Sequence, residues 1–200
     1  MTGHTKFMGK PNVKELLLEN GLRILQAGGF NATSVQDITE AAGVPKGSFY
    51  NHFDSKEALG ADAVVRYMEN AGAFEVVLHD KSLAPLVRLR RYFEGLIEER
   101  TANDFRGGCL LVSFGAELSD HSELIRTTVS QGFQTWTSTI GSVIAEAQEA
   151  GDVAGDISVQ LLTDFLLNSW EGCLLRAKIE KSHAPLEQFM QLGFTKILSR

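Results

Sequence analysis

One cysteine and one short helical face hold most of the chemistry available to this chain. Cys109 follows Arg106, Gly107 and Gly108 and opens the apolar segment CLLVSFGAEL. If a helix starts there, the thiol lies in its first turn, where the helix dipole and a nearby guanidinium both favour thiolate and therefore a nucleophile. A plainer role is also open, because a free cysteine is most often a small buried hydrophobe. Cys173 falls inside an apolar helical stripe and is expected to pack. The second group is Lys46, Gly47, Ser48, Tyr50 and Asn51, in one short segment with Phe49 and Phe53. The i, i+4 relation of the two phenylalanines turns both inward and leaves the small, polar and aromatic residues largely on the other side. Such a face suits a DNA groove: it offers donors to phosphates and base edges, and Gly47 lets a backbone come close.

Other chemistries find little support. His121 and His183 have no motif placing them beside Cys109, and neither a nucleotide loop, GxSxG nor HExxH occurs. A thiol-dependent transferase remains the competing enzyme class. Two cysteines do not complete a four-ligand zinc site, so no metal and no cofactor is expected. Phe114, Phe133, Trp136 and Trp170 could line an apolar chamber for a reversible small molecule, or could equally be core.

The elements that position these groups are all helical. Val13, Leu16, Leu17, Ile24 and Leu25 predict a first helix ending near Gly28 and Gly29. Val35, Ile38 and Ala42 predict a second, capped by Thr33 or Ser34, whose hydroxyls could cap the helix, bind phosphate or do both. Gly43 stops it and Pro45 opens a third, a helix-turn-helix pattern. Asp54, with Glu57 three residues on, reads as the cap of a fourth helix running from Ser55 to about Leu78. Further helices are expected from Pro85, from about Ser122 to Ala150, from about Ile157 to Lys181 and after Pro185. The 157–181 helix is apolar on almost every side and the last is strongly striped. Leu162, Phe165, Leu166, Phe189, Met190, Phe194 and Ile197 are therefore expected to meet their copies in a four-helix homodimer interface. A two-fold dimer would place two reading helices about one DNA turn apart, or a multiple of it, on a palindromic operator of double-stranded DNA.

The chain has 200 residues and a formal charge of −6. Residues 1–56 hold six basic and five acidic residues and the remainder holds 13 basic and 20 acidic, so the acidity belongs to the second part. A margin of one positive charge is a weak electrostatic signature for DNA, and the motif outweighs it. Lys6 and Lys10 precede the first helix in an arm that could touch phosphates. No apolar run reaches a membrane span's length, and the N-terminus lacks the apolar core of a signal peptide, which points to a cytoplasmic protein with reduced thiols and no membrane partner.

The phrase GFNATSVQDITEAAGVPKGSFYNHFDSKEAL resembles the tetracycline-repressor (TetR/AcrR) family of one-component transcriptional regulators, over roughly Val13 to Val65. The resemblance implies an all-α fold of about nine helices, with a three-helix DNA-binding head (1–56) and a larger ligand-sensing and dimerisation body (57–200). It implies DNA contacts by Lys46, Gly47, Ser48, Tyr50, Asn51 and His52, a phosphate contact by Lys56, and a fourth helix that swings when a small-molecule inducer binds. The segments CLLVSFGAELSDHSELIR and WEGCLLRAKIEKSHAPLEQF resemble the branch containing N-ethylmaleimide-reductase and acrylate-responsive repressors. That branch implies Cys109 as a sensor of electrophiles or oxidants, with Lys178 as a charged partner.

Overall fold

The computed structural model describes residues 12–200, and among these every regular element is helical. Asn12 caps α1 (Val13–Gly28) by accepting from Lys14 N at 3.0 Å. Helix α2 (Val35–Ala41) opens on a capping box: Ser34 Oγ accepts from Asp37 N at 3.1 Å, and Asp37 Oδ2 accepts from Ser34 N at 2.7 Å. Of the two hydroxyls expected to cap this helix, Ser34 does so. Thr33 is buried and donates instead to the Gly29 carbonyl at 2.8 Å. The third segment, Lys46–Asn51, is a 3-10 helix, tighter than the α-helix expected after Pro45.

Helix α3 (Lys56–Glu75) is capped by Ser55, whose Oγ accepts from Ala58 N at 3.1 Å, and not by the exposed Asp54 as the spacing suggested. It gives way to a 3-10 turn at Val76–His79. Then follow α4 (Pro85–Ala102), α5 (Leu110–Leu118), α6 (Glu123–Glu149), α7 (Val159–Glu180) and α8 (Ala184–Leu192). The chain closes with a wider turn at Gly193–Ile197.

Helix α3 lies against both α1 and α6, and so joins the two parts of the molecule. Its Leu59 packs on Gly21, where a Cβ would stand 2.9 Å from Leu59 Cδ2 and 3.6 Å from Ile38 Cγ2. The first turn of α3 thus completes the core under α1 and α2. One turn face further round, Gly60 lets Phe30, Phe114 and Ile125 come together. A Cβ there would meet their carbons at 3.0, 3.4 and 3.3 Å.

Helix α7 answers the puzzle of its all-round apolarity by splitting it. Leu162, Leu166, Leu167, Trp170 and Leu174 are buried in the chain's own core, together with Phe189 and Met190 of α8. Leu162, Leu166, Phe189 and Met190 are therefore packing residues of the single chain, contrary to the interface role expected of them. Leu161, Phe165, Leu175 and Ile179 remain exposed along one stripe of α7, with Leu192 on α8. Phe194 and Ile197 are half-buried.

Candidate DNA-binding face and ligand chamber

The reading face is built on Phe49. It is fully buried, 5.6 Å from the Phe53 ring and 5.3 Å from the Tyr50 ring. With the two phenylalanines inside, Lys46, Gly47, Tyr50, Asn51 and His52 are all exposed, and Tyr50 shows 60% of its surface. A Cβ on Gly47 would meet no atom within 4 Å, so internal packing does not require glycine there. Ser48 is half-buried and donates its hydroxyl to the Pro45 carbonyl at 2.6 Å.

Behind this face the other expected contacts are committed to the fold. The Ser34 hydroxyl donates to Asp37 Oδ2 at 2.7 Å, which holds the Asp37 carboxyl below its ordinary range and sets a negative charge at the start of α2. Thr33 is buried, so its side chain is not part of the exposed face, a correction to its expected DNA contact. Lys56 donates to the Phe30 and Thr33 carbonyls at 3.0 and 2.9 Å and lies 4.1 Å from the Phe30 ring centre. It ties the α1–α2 loop to α3 and keeps one of three ammonium protons for an outside acceptor. Lys6 and Lys10 lie outside the described residues.

The same loop is held from the body. Glu117, in the last turn of α5, accepts from Phe30 N at 3.1 Å and Asn31 N at 2.7 Å. Gly29 makes room: its φ is +83°, and a Cβ would stand 2.7 Å from Glu117 Oε1. Phe114, expected in a ligand pocket, is fully buried and stacks edge-on to Phe30 at 5.4 Å, so it belongs to this junction.

At its other end α5 is capped by Cys109, the helix start the sequence suggested. The electrostatics are the reverse of those expected. Arg106 points to solvent, with its side chain 82% exposed, and the buried thiol faces Glu171. Burial pushes the thiol well above its ordinary value and the Glu171 charge adds to that, while the Val112 and Leu111 amides pull the other way and lose. The Cys109 wall closes a cavity of about 40 Å³ between α3, α4, α5, α6 and α7, lined also by Tyr67, Glu75, Tyr92, Arg100, Trp136, Trp170 and Glu171. Burial raises Glu171 to about 7 and also raises Glu75.

Of the expected sensor residues, Cys109, Trp136 and Trp170 thus meet around one chamber. Lys178 joins Cys109, Ser113 and Glu171 in an adjoining void of similar volume. Phe133 does not take part: it lines an open surface groove with Gln160 and Asp164. Tyr67, Tyr92, Arg100 and Glu171 were missed. Glu171 and Arg100 break apolar helical stripes, a detectable signal, but nothing local says that they face Cys109.

An exposed helix-turn-helix face joined through one helix to a helical body with a partly polar chamber has the form of a DNA-binding regulator. Residues 17–63 match the model of the bacterial regulatory proteins of the tetR family, and residues 85–192 match the tetracyclin repressor-like C-terminal domain. The chain is 39% identical over 192 residues to the HTH-type transcriptional repressor DhaR of Mycobacterium sp. (strain GP1), covering 96% of this chain and 95% of that one. Among solved structures it resembles regulatory protein TetR from Rhodobacter sphaeroides, with 31% identity, TM-score 0.85 and coverage of 91% and 97%. It also resembles the reduced form of Escherichia coli NemR, with 26% identity, TM-score 0.82 and coverage of 94% and 98%. The chain belongs to the tetR family of transcriptional regulators. Its relatives are named as transcriptional repressors, which removes the thiol-transferase alternative.

Proposed function

We propose that this protein is a dimeric repressor released from a palindromic operator by a small molecule entering the chamber, an electrophilic or unsaturated compound sensed at or near Cys109. One observation supports it above the others: α5 is capped by Cys109 in the chamber wall and carries in its last turn Glu117, which grips the α1–α2 loop of the DNA-reading head. A ligand that moves Cys109 moves the helix that holds the head. Release then requires only that the ligand prefer the conformation in which the two heads are wrongly spaced. The exposed Leu161, Phe165, Leu175 and Ile179 stripe supplies the apolar face for a second copy, with Phe194 and Ile197 beside it.

A reversible ligand without thiol chemistry is the second reading, and the raised Cys109 favours it, because a protonated buried thiol is a poor nucleophile. Fluorescence anisotropy on labelled DNA from upstream of the gene, before and after N-ethylmaleimide, separates the two. Salt-sensitive binding that alkylation abolishes in the wild type and spares in Cys109→Ser supports the thiol sensor. Release that persists in Cys109→Ser removes the thiol as the required trigger.

A further inference from the structure

Four buried side-chain nitrogen or oxygen atoms among the described residues have no hydrogen-bond partner: Arg88 Nε, Arg100 Nε, Trp136 Nε1 and Glu171 Oε1. Arg88 belongs elsewhere, where its other nitrogens hold the Leu78 carbonyl and Glu146. The other three residues all line the Cys109 chamber. Folded chains leave few buried polar atoms unpaired, since each forfeits the hydration it had in water. Trp136 and Arg100 are only 7% and 9% exposed, so bulk water does not serve them. The Tyr92 hydroxyl lies beside the Trp136 indole but makes no hydrogen bond of acceptable geometry with it.

The three atoms differ in what they ask for. Trp136 Nε1 and Arg100 Nε only donate, and Glu171, a carboxylate above about pH 7, then accepts. A complementary molecule therefore carries an acceptor for the first pair and a polar hydrogen for the second. Charge narrows the choice. Arg100 Nε lies 3.2 Å from Glu99 Oε2, off hydrogen-bond geometry but near enough to offset much of the guanidinium charge. Glu171 and Glu75 both stand in the wall. An anion would face the two carboxyls, and an ammonium ion has no acceptor to offer Trp136 and Arg100, whereas a neutral molecule carrying both groups meets neither obstacle. The remaining wall is apolar, with Met68, Leu96, Leu111 and Leu174. About 40 Å³ gives room for roughly three water-sized groups.

We infer that the chamber recognises a small neutral molecule pairing a hydrogen-bond acceptor with a donor, of the primary-amide type, its acceptor held by Trp136 and Arg100 and its donor by Glu171. This rests on the chamber being the inducer site, and it separates holding the ligand from any reaction at Cys109. The protein's two tryptophans give a direct test, since each indole N–H is one resonance and Trp136→Phe assigns the pair. Propionamide, propionate and propylamine have nearly the same size and differ in charge. Propionamide is expected to shift the Trp136 indole saturably, with the two ions binding about tenfold more weakly or worse, and Trp136→Phe is expected to cost about five- to tenfold in propionamide affinity. Glu171→Gln keeps the shape and removes the carboxylate, so it narrows the gap between propionamide and propionate, which a merely structural role would not do. A Trp136 indole that propionamide does not move, or ions that bind as well as the amide, overturns the inference, and the three atoms then hold water only. Anisotropy on the same samples keeps the two proposals apart. Amide binding that leaves DNA affinity unchanged sinks the inducer reading alone, whereas alkylation that releases DNA without amide binding sinks this inference alone.

Discussion

Replacing Glu117 with alanine should loosen the head without touching either the DNA face or the chamber. The carboxylate accepts two backbone N–H bonds, at 3.1 Å from Phe30 and 2.7 Å from Asn31. Hydrogen bonds to a charged group are worth about 1.5–3 kcal/mol each when well shielded, but this pair is only partly buried, so about 2 kcal/mol in total is the realistic loss. For a chain of this length that lowers Tm by about 4–8 °C. Glu117→Gln keeps one acceptor oxygen and should lose about half as much. Gly29→Ala should act in the same direction from the other side, because φ of +83° and a Cβ placed 2.7 Å from Glu117 Oε1 both oppose it. The functional readout is the ratio of operator affinities with and without inducer, measured by anisotropy. Allosteric couplings typically change affinity by about 5–150-fold, and a head cut loose from α5 should bring that ratio toward one. An alanine variant with unchanged Tm and the full wild-type ratio would refute α5 as the link between chamber and head.

Four other residues give outcomes that can be measured one at a time. The Glu171 carboxyl stands at about 7 when folded against 4.5 in its ordinary state, so between those values the folded chain keeps a proton that the unfolded chain has lost. Stability is then highest on the acid side of that window and falls by up to about 3 kcal/mol as pH climbs through it; Glu171→Gln should flatten this part of the urea-denaturation profile. Phe165, 52% exposed on the apolar stripe of α7, should change to glutamate without loss of helical signal while size-exclusion chromatography shows a monomer; an unchanged dimer peak would remove the stripe from the interface. Tyr50→Ala should abolish tight operator binding at unchanged Tm, whereas Phe49→Ala, which empties a fully buried site, should cost about 3–5 kcal/mol of stability.

The head was legible because its signals are local. Phe49 and Phe53 are four residues apart, Ser34 and Asp37 three, and a helix with one inward face exposes its others by geometry. Local signals also misled where two residues compete for one role. Asp54 and Ser55 are both good caps, and only the backbone shows that Ser55 takes the place. The body was legible as helices and much less as contacts. Cys109 was correctly placed at a helix start, but its surroundings come from residues distant in sequence: Tyr67 in α3, Arg100 in α4 and Glu171 in α7. A dipole argument from neighbours in sequence predicted an activated thiol, and burial against a carboxyl reversed it. Phe114 and Phe133 show the same limit, since an aromatic side chain announces burial and not which cavity it lines.

On the proposed reading, the length of α5 is what lets a small event in the chamber matter at the head. Nine residues form a rod about 13 Å long with Cys109 as its cap, short enough to move as one body. The bond from Asn31 N to Glu117 Oε2 is 2.7 Å long, and a slide of about 1 Å along its direction carries it past the range in which a hydrogen bond holds. The 40 Å³ chamber has too little spare room to take a ligand much larger than a few atoms unless one of its walls gives way. Of those walls, α5 is shorter than α3, α4, α6 or α7, and its cap makes no side-chain hydrogen bond to fix it. On the proposed reading the wall that gives way is α5, the shortest of the five, which carries Leu110, Leu111, Phe114 and Leu118 of the core with it and ends beside the loop held by Glu117. A chemically quiet thiol is compatible with this mechanism: Cys109 need only occupy the space that the inducer requires, and alkylation is one way of enlarging what occupies it.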